Sequence, residues 1–113
     1  MHWIHLTDVG QLQQIIVRSE EKPQVIFKHC THCGSSAAIL NRLQQDYCPN
    51  HIDFHFLDQV SYGDLSSKVA ETFHVADEVS EVLVIKDGEC IFQESDPGVS
   101  LQAIMEHLPE AAA

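Results

Sequence analysis

The chain has 113 residues, of which 44% are hydrophobic, and a formal net charge of −11. This length suits one compact domain, which we expect over residues 1–109, with a frayed tail over residues 110–113. A surface this acidic repels nucleic acid and anionic lipid, so neither is expected as a partner. The N-terminus lacks a signal-peptide pattern, and no apolar run reaches the roughly 20 residues that span a bilayer. The sequence therefore predicts a cytoplasmic protein.

Hydrophobic periodicity predicts alternating strands and helices in the first half of the chain. Residues 3–6 are typical of a short strand, and Thr7-Asp8 predicts the cap of a helix that ends at Pro23. Residues 24–28 form the short, continuous, β-branched run of a buried strand, and residues 37–47 predict a second helix. The apolar residues assigned to these helices are Val9, Leu12, Ile15 and Ile16 in the first and, facing inward, Ala37, Ile39, Leu40, Leu43 and Tyr47 in the second.

The second half of the chain predicts a strand, a helix, a hairpin and a last helix. Residues 52–58 alternate between apolar and polar, as in a half-buried strand, and apolar residues at helical spacing follow. Residues 81–86 and 89–93 predict two strands joined by a turn at Asp87-Gly88, and Ser100 predicts the cap of the last helix. The order βαβαβαββα predicts an α/β fold with three layers, α/β/α, around a central mixed sheet.

The segment Cys30-Thr31-His32-Cys33 joins the second predicted strand to the second predicted helix. A thiol at such a junction faces the positive end of the helix dipole, which favours the reactive thiolate over the thiol. In one register Cys30 is the nucleophile and Cys33 the resolving thiol one turn into the helix. In the other, Cys33 opens the helix and Cys30 lies in the loop before it. The second register fits better, because Gly34-Ser35-Ser36 suits a first turn and not a helix interior.

Other residues near the pair have two interpretations each. Charged side chains close to a thiol lower its pKa, and Lys28, His29 and His32 flank the pair in sequence. For His29, a role as a solvated or core-edge residue is at least as good an interpretation. Cys48 ends a helix and Cys90 falls in a strand, so we expect neither to be catalytic. The acidic residues before the fourth strand are interpreted as a solvated loop: Asp77, Glu78 and Glu81.

A zinc site is the main rival interpretation of the cysteines. Cys30-x2-Cys33 followed by Cys48-x2-His51 matches a Cys₃His pattern. If the segment between the two halves is helical, about 1.5 Å of rise per residue separates them by roughly 22 Å. All ligands of a tetrahedral zinc lie within about 2.3 Å of the metal, so the halves cannot meet. The sequence therefore favours no metal unless that helix is absent.

Beyond these local patterns, the chain resembles the thioredoxin-like superfamily over almost its whole length. More narrowly, it resembles the monothiol bacilliredoxins, small cytosolic redox proteins of the bacillithiol system. The resemblance rests on Trp3-Ile4-His5-Leu6-Thr7, Ile26-Phe27-Lys28-His29, Thr31-His32-Cys33-x-x-Ser36 and the run from Val82 to Cys90. It implies a thioredoxin-like fold, Cys33 as the reactive thiol, and Ser36 where a dithiol relative carries its second cysteine.

Three residues depart from the pattern of that family. Gly34 follows the reactive cysteine where the family favours proline, and Cys30 stands where serine is common. Ser80, in Val79-Ser80-Glu81, occupies the place of the cis-proline that thioredoxin-like domains carry beside the active loop. The second departure supplies a candidate resolving thiol, and the third changes the edge where a substrate docks.

The resemblance implies a thiol–disulfide oxidoreductase that removes a small thiol, bacillithiol or a similar one, from protein mixed disulfides. Cys33 is then the nucleophile and Cys30 the candidate resolving thiol. The supporting residues are Thr31, His32, Gly34, Ser36 and Ser80. We expect no bound cofactor; the small thiol acts as co-substrate, and S-thiolated client proteins are the partners.

Two other functions stay open at the level of sequence. The missing proline is compatible with a non-enzymatic binding module that uses Asp77-Glu78 as a docking surface. The Cys33-Gly34-Ser35-Ser36 segment also resembles the loop of monothiol glutaredoxins, which implies iron–sulfur handling. A single cysteine ligand per chain would then require a dimer and an external thiol.

Overall fold

The computed structural model describes residues 2–45, 49–95 and 99–108. Its elements follow the predicted order βαβαβαββα. They are β1 (Trp3–His5), α1 (Gly10–Arg18), β2 (Gln24–His29), α2 (Gly34–Gln45), β3 (Asp53–Asp58), α3 (Gly63–Phe73), β4 (Glu81–Lys86), β5 (Glu89–Ser95) and α4 (Leu101–Glu106). Within the described ranges, no helix is both long enough and apolar enough to cross a membrane.

The five strands form one mixed sheet in the order β1-β3-β2-β4-β5. β1 and β2 run parallel to β3, whereas β4 runs antiparallel to β2 and to β5. β2 lies at the centre, and all six of its residues are buried. Because β2 and β4 are antiparallel, the end of β2 and the beginning of β4 lie at the same edge of the sheet. The loops after β2 and before β4 therefore meet there.

Each face of the sheet carries its own hydrophobic core, so the fold has the predicted three layers. Neighbouring residues of β2 enter different cores, as expected for side chains that alternate along a strand: Ile26 packs on one side and Phe27 on the other. The first core takes Leu12 from α1 and Val69 from α3. The second takes residues from α2 and α4, with Ile39 among them.

Several local predictions can be compared with the structure. The turn between β4 and β5 is confirmed, with positive φ angles of 52° at Asp87 and 78° at Gly88. The cap at Ser100 is also confirmed, because its hydroxyl accepts a hydrogen bond from the Ala103 N–H at 3.1 Å. The predictions for Tyr47, Cys48 and residues 110–113 lie outside the described residues.

Two local predictions are wrong. The side chains of Thr7 and Asp8 do not cap α1; instead, the Gln11 Oε1 accepts hydrogen bonds from their backbone N–H groups, at 2.8 and 3.0 Å. The long Gln11 side chain reaches back over the helix start, so no short capping residue is needed there. Ala37 is exposed, not inward, because it lies on the solvent side of α2.

Candidate redox site at the start of the second helix

The four-residue connection between β2 and α2 contains both cysteines of the CxxC segment. α2 begins at Gly34, directly after Cys33. The Cys33 carbonyl accepts hydrogen bonds from the N–H groups of Ser36, at 3.1 Å, and Ala37, at 3.3 Å, so it starts the hydrogen-bond ladder of the helix. Cys33 therefore opens α2 and Cys30 lies in the preceding loop, as in the preferred register.

A disulfide joins Cys30 to Cys33, whose Cα atoms are 5.3 Å apart. Both cysteines are half-buried, while Thr31, His32 and Gly34 are exposed. The Cys33 N–H also donates to the Cys30 carbonyl at 3.2 Å, which folds the connection into a tight turn. The structure thus brings the two thiols into bonding contact at a solvent-accessible edge of the sheet.

Ser36 lies beneath this turn and is fully buried. Its Oγ accepts a hydrogen bond from the Cys30 N–H at 3.0 Å and lies 2.9 Å from the Nδ1 of His29. Burial lowers the pKa of His29, although the nearby Asp58 carboxylate acts in the opposite direction. The neutral imidazole is therefore favoured, and His29 is an internal partner of the active loop and not a solvated cation.

Lys28 does not offer a free charge to the thiols. Its side chain is fully buried, and its Nζ lies 2.9 Å from both Asp77 Oδ1 and Glu81 Oε1. Glu81 is fully buried as well, so the interpretation as a solvated loop is wrong for Glu81, whereas Asp77 and Glu78 are exposed and lie in the loop before β4. Burial alone would raise the pKa of Asp77, but hydrogen bonds from Lys28 and Ser66 outweigh it and lower that pKa. The ion pairs tie β2 to the loop before β4.

Ser80, at the place of the expected proline, adopts a left-handed backbone conformation with φ of 55°. It is buried; its N–H donates to Gln59 Oε1 at 3.1 Å, and its Oγ has no hydrogen-bond partner among the described residues. The Gln59 amide also donates to the Glu78 carbonyl at 2.9 Å. Proline cannot adopt this φ. The loop is held instead by the hydrogen bonds of Gln59 and the ion pairs of Lys28. No pattern in the sequence pointed to Gln59.

A shallow pocket of about 260 Å³ opens beside Cys30. Its rim carries two strongly exposed apolar side chains, Val60 at 45% and Val79 at 58%. The lining residues are Cys30, Gln59, Val60, Gly63, Ser66, Asp77 and Val79. The rim can therefore contact an apolar group of a molecule that approaches the disulfide.

Cys90 lies beside a larger pocket, of about 410 Å³, away from the CxxC turn. It is half-buried against the first core, and its Sγ donates to the Phe92 carbonyl at 3.3 Å. Burial raises the pKa of the Cys90 thiol, which leaves less thiolate at neutral pH. Cys90 is therefore not favoured as a reactive thiol, and the CxxC turn is the candidate site.

Within residues 2–45, 49–95 and 99–108, no group of three His, Cys, Asp or Glu side chains is placed to hold a metal ion. α2 is helical from Gly34 to Gln45, as the distance estimate assumed for the segment that follows Cys33. Cys48, the third ligand of the zinc alternative, lies outside the described residues.

The mixed sheet between two helical layers, with a disulfide at the start of α2, defines a thiol redox protein of the thioredoxin fold. The model of the monothiol bacilliredoxin BrxC family matches residues 4–104, and the chain belongs to that family. No curated protein matches the chain. Within a family described as monothiol, this chain therefore carries two cysteines joined by a disulfide.

Similar solved structures share the thioredoxin fold. One, described as a candidate oxidoreductase with a thioredoxin fold, has a TM-score of 0.79 and 21% identity, over 93% of this chain and 92% of its own. The thioredoxin of Malassezia sympodialis has a TM-score of 0.71 and 20% identity, over 95% and 90%. The thioredoxin of Fasciola hepatica has a TM-score of 0.70 and 16% identity, over 92% and 98%. These identities support the fold alone.

Proposed function

We propose that the protein is an oxidoreductase that removes a small thiol, bacillithiol or a similar one, from mixed disulfides on client proteins. The observation that carries the proposal is the position of Cys33 directly before α2, with a second thiol in contact with it. The membership in the bacilliredoxin family supports the choice of small thiol. Cys33 is the proposed nucleophile and Cys30 the proposed resolving thiol.

In the first step, the Cys33 thiolate attacks the sulfur of the small thiol in the mixed disulfide. The bond between the client sulfur and the small thiol breaks, a new disulfide forms on Cys33, and the client leaves as a thiolate that takes a proton from water. The unpaired N–H groups in the first turn of α2 and the helix dipole stabilise the attacking thiolate. The half-exposed position of Cys33 supports access by the substrate.

In the second step, the Cys30 thiolate attacks Cys33 and expels the small thiol. The client has then gained two electrons and the Cys30–Cys33 pair has lost them, so a dithiol reductant or two further small thiols must reduce the pair. The disulfide and the 5.3 Å between the Cα atoms support this step. It would distinguish the chain from a strictly monothiol relative.

The rim of the pocket beside Cys30 is the proposed docking surface for clients. Val60 and Val79 are exposed there, close to the disulfide. Apolar side chains that flank a thiolated cysteine would pack against them and hold the mixed disulfide near the pair. The cytoplasm is the proposed location, because a cycle driven by small thiols needs a reducing compartment. The proposal requires no bound cofactor.

Cysteine variants test the proposal directly. A client protein that carries one bacillithiol mixed disulfide is mixed with the reduced protein, and release of the free client thiol is followed by intact mass. We expect Cys33→Ser to abolish release and Cys30→Ser to trap a thiolated Cys33. Cys90→Ser is the matched control and should behave like the unmodified chain. Full activity of Cys33→Ser would show that the proposal is wrong.

A further inference from the structure

We propose that Ser36 is a positioning residue that holds Cys30 in place for its attack on Cys33. This inference rests on the proposed function and gives a structural reason why Cys30 can attack Cys33 in the second step. Ser36 itself touches neither the client nor the small thiol in this scheme. It acts through the backbone of Cys30, so its loss should affect closure of the disulfide more than the first attack by Cys33.

The backbone of Cys30 is held on both sides. Its N–H donates to Ser36 Oγ at 3.0 Å, and its carbonyl accepts from the Cys33 N–H at 3.2 Å. Ser36 belongs to α2 and is fully buried, so the hydroxyl is fixed to a rigid element. The loop between the cysteines is otherwise exposed at Thr31 and His32. The Ser36 hydroxyl is therefore a side-chain contact that ties the Cys30 end of this loop to α2.

His29 fixes the direction in which the Ser36 hydroxyl points. A hydroxyl has a single O–H donor, and Ser36 uses an acceptor site for the Cys30 N–H. The O–H can then donate to Nδ1 of a neutral His29, 2.9 Å away. The His29 ring packs against those of Phe27 and Phe56, with ring centroids at 5.8 and 5.4 Å. The ring has little freedom to turn away from Ser36.

This arrangement raises the effective concentration of the Cys30 thiol at Cys33. Closure breaks the bond between Cys33 and the small thiol, forms the Cys30–Cys33 disulfide, and releases the small thiol as a thiolate that takes a proton from water. A loop that is already folded loses less conformational entropy at this step. Loss of one hydrogen bond of ordinary strength should therefore reduce closure about five- to tenfold.

The experiment uses glutathione as the probe. The reduced chain is mixed with oxidised glutathione and the reaction is quenched with acid. The intact mass then distinguishes an added glutathionyl group from the loss of two hydrogens. We expect Ser36→Ala to accumulate the glutathionylated form and to slow closure about five- to tenfold. The reduction potential of the Cys30–Cys33 couple should rise by about 20 to 30 mV, the equivalent of that fold-change.

The matched control is Ser19→Ala. Ser19 is also fully buried, and its hydroxyl also makes two hydrogen bonds, to the Ile16 carbonyl at 2.6 Å and from the Gly88 N–H at 2.8 Å. Ser19 lies at the other end of the sheet from the CxxC turn, because it bonds to the β4–β5 turn. Its removal should lower stability without a change in closure or potential. If Ser19→Ala shifts both quantities as much as Ser36→Ala, the effect is general loosening and the inference is wrong.

A second pair of variants covers the case in which Ser36→Ala fails to fold. His29→Leu removes the partner of the hydroxyl, whereas His29→Asn keeps a polar atom near the position of Nδ1. We expect slow closure of the disulfide in His29→Leu and a closure rate close to that of the wild type in His29→Asn. Wild-type closure rates in Ser36→Ala and His29→Leu would overturn the inference even if Cys30→Ser still traps glutathione on Cys33. Failure of that trap would instead overturn the proposed function.

Discussion

At the scale of single residues, the buried His55 is expected to make the stability of the protein depend on pH. Its ring is buried, its Nε2 donates to Gln24 Oε1 at 2.8 Å, and its Nδ1 has no partner among the described residues. Protonation would place an unpaired N–H in the interior. Burial accordingly lowers the pKa of His55 to about 4, although Asp53 acts in the opposite direction.

The lowered pKa of His55 predicts a loss of stability in mild acid. Between the unfolded pKa of about 6.5 and the folded value of about 4, the unfolded chain binds a proton that the folded chain does not. The free energy of unfolding should therefore fall as the pH drops through this window, by up to about 3 kcal/mol from this residue. Urea unfolding at a series of pH values should show a shallower dependence for His55→Gln. An unchanged slope would contradict the prediction.

Ser80 predicts a reversal of the usual preference between alanine and glycine. Its φ of 55° is costly for any residue with a Cβ, by roughly 1–2 kcal/mol. Ser80→Gly and Ser80→Ala both remove the hydroxyl, so they differ in the Cβ alone, and the glycine variant should be more stable by about 1 kcal/mol. At Ser67, exposed in the middle of α3, alanine should be the more stable by about 1 kcal/mol. Urea unfolding of the four variants measures both differences, and the same order at both positions would contradict the prediction.

The sequence identified single residues only where a local pattern marks them. Cys33 was proposed from the strand-to-helix junction, and Ser36 from the resemblance to bacilliredoxins. The Lys28–Glu81 pair was not found, because it depends on the antiparallel pairing of Phe27 with Val82, which aligns residues far apart in sequence. Gln59 was missed for the same reason. Polar contacts between distant loops leave no periodic signal in a single sequence.

At the scale of elements, the start of α2 contains the candidate site, and its first residue also allows a prediction about the free energy of unfolding. Gly34 is the first residue of the helix, it is exposed, and a Cβ there would meet no atom within 4 Å. Gly34→Ala should therefore raise the free energy of unfolding by about 0.5 kcal/mol, because it restricts the unfolded chain. Gly88→Ala is the control with the opposite sign, since Gly88 has a φ of 78°. Thermal unfolding of the two variants tests this, and a loss of stability in Gly34→Ala would contradict it.

Element boundaries were predictable to within a few residues because apolar periodicity and turn residues determine them. The first predicted strand, residues 3–6, is β1 at Trp3–His5, and the hairpin turn at Asp87-Gly88 is confirmed. Helix ends were less predictable. The N-terminus of α1 depends on the flexible side chain of Gln11, which can cap only after the chain has turned back on itself.

At the scale of the whole molecule, the fold places opposite demands on one edge of the sheet. The CxxC turn is exposed at Thr31 and His32, whereas Ser36, which bonds to the turn, and His29, which bonds to Ser36, are buried. The fold allows both because β2 lies between β3 and β4. These neighbouring strands cover the end of β2, while the loop that follows it faces solvent. The order of elements predicted this mixed sheet. The register, which decides the buried partners, depends on pairings between residues that are far apart in sequence.

The net charge of −11 predicts that small disulfides will be selected by their own charge. Cystamine is cationic and oxidised glutathione is anionic, so the protein's field should speed the reaction of Cys33 with the first and slow it with the second. The Debye length falls from about 30 Å at 0.01 M salt to about 3 Å at 1 M, which screens this field. The ratio of the two second-order rate constants should therefore fall at least about threefold between these salt concentrations.

Intact mass after acid quenching measures both rates, with free cysteine as the reference thiol, because it lacks the protein's field. Division by the reference rates removes the effect of salt on the reagents themselves. The Cys33→Ser variant shows how much of the signal comes from other thiols. If the corrected ratio does not change with salt, the acidic surface has no influence on the approach to Cys33. Access would then depend on local contacts at the pocket rim, where Val60 and Val79 are exposed.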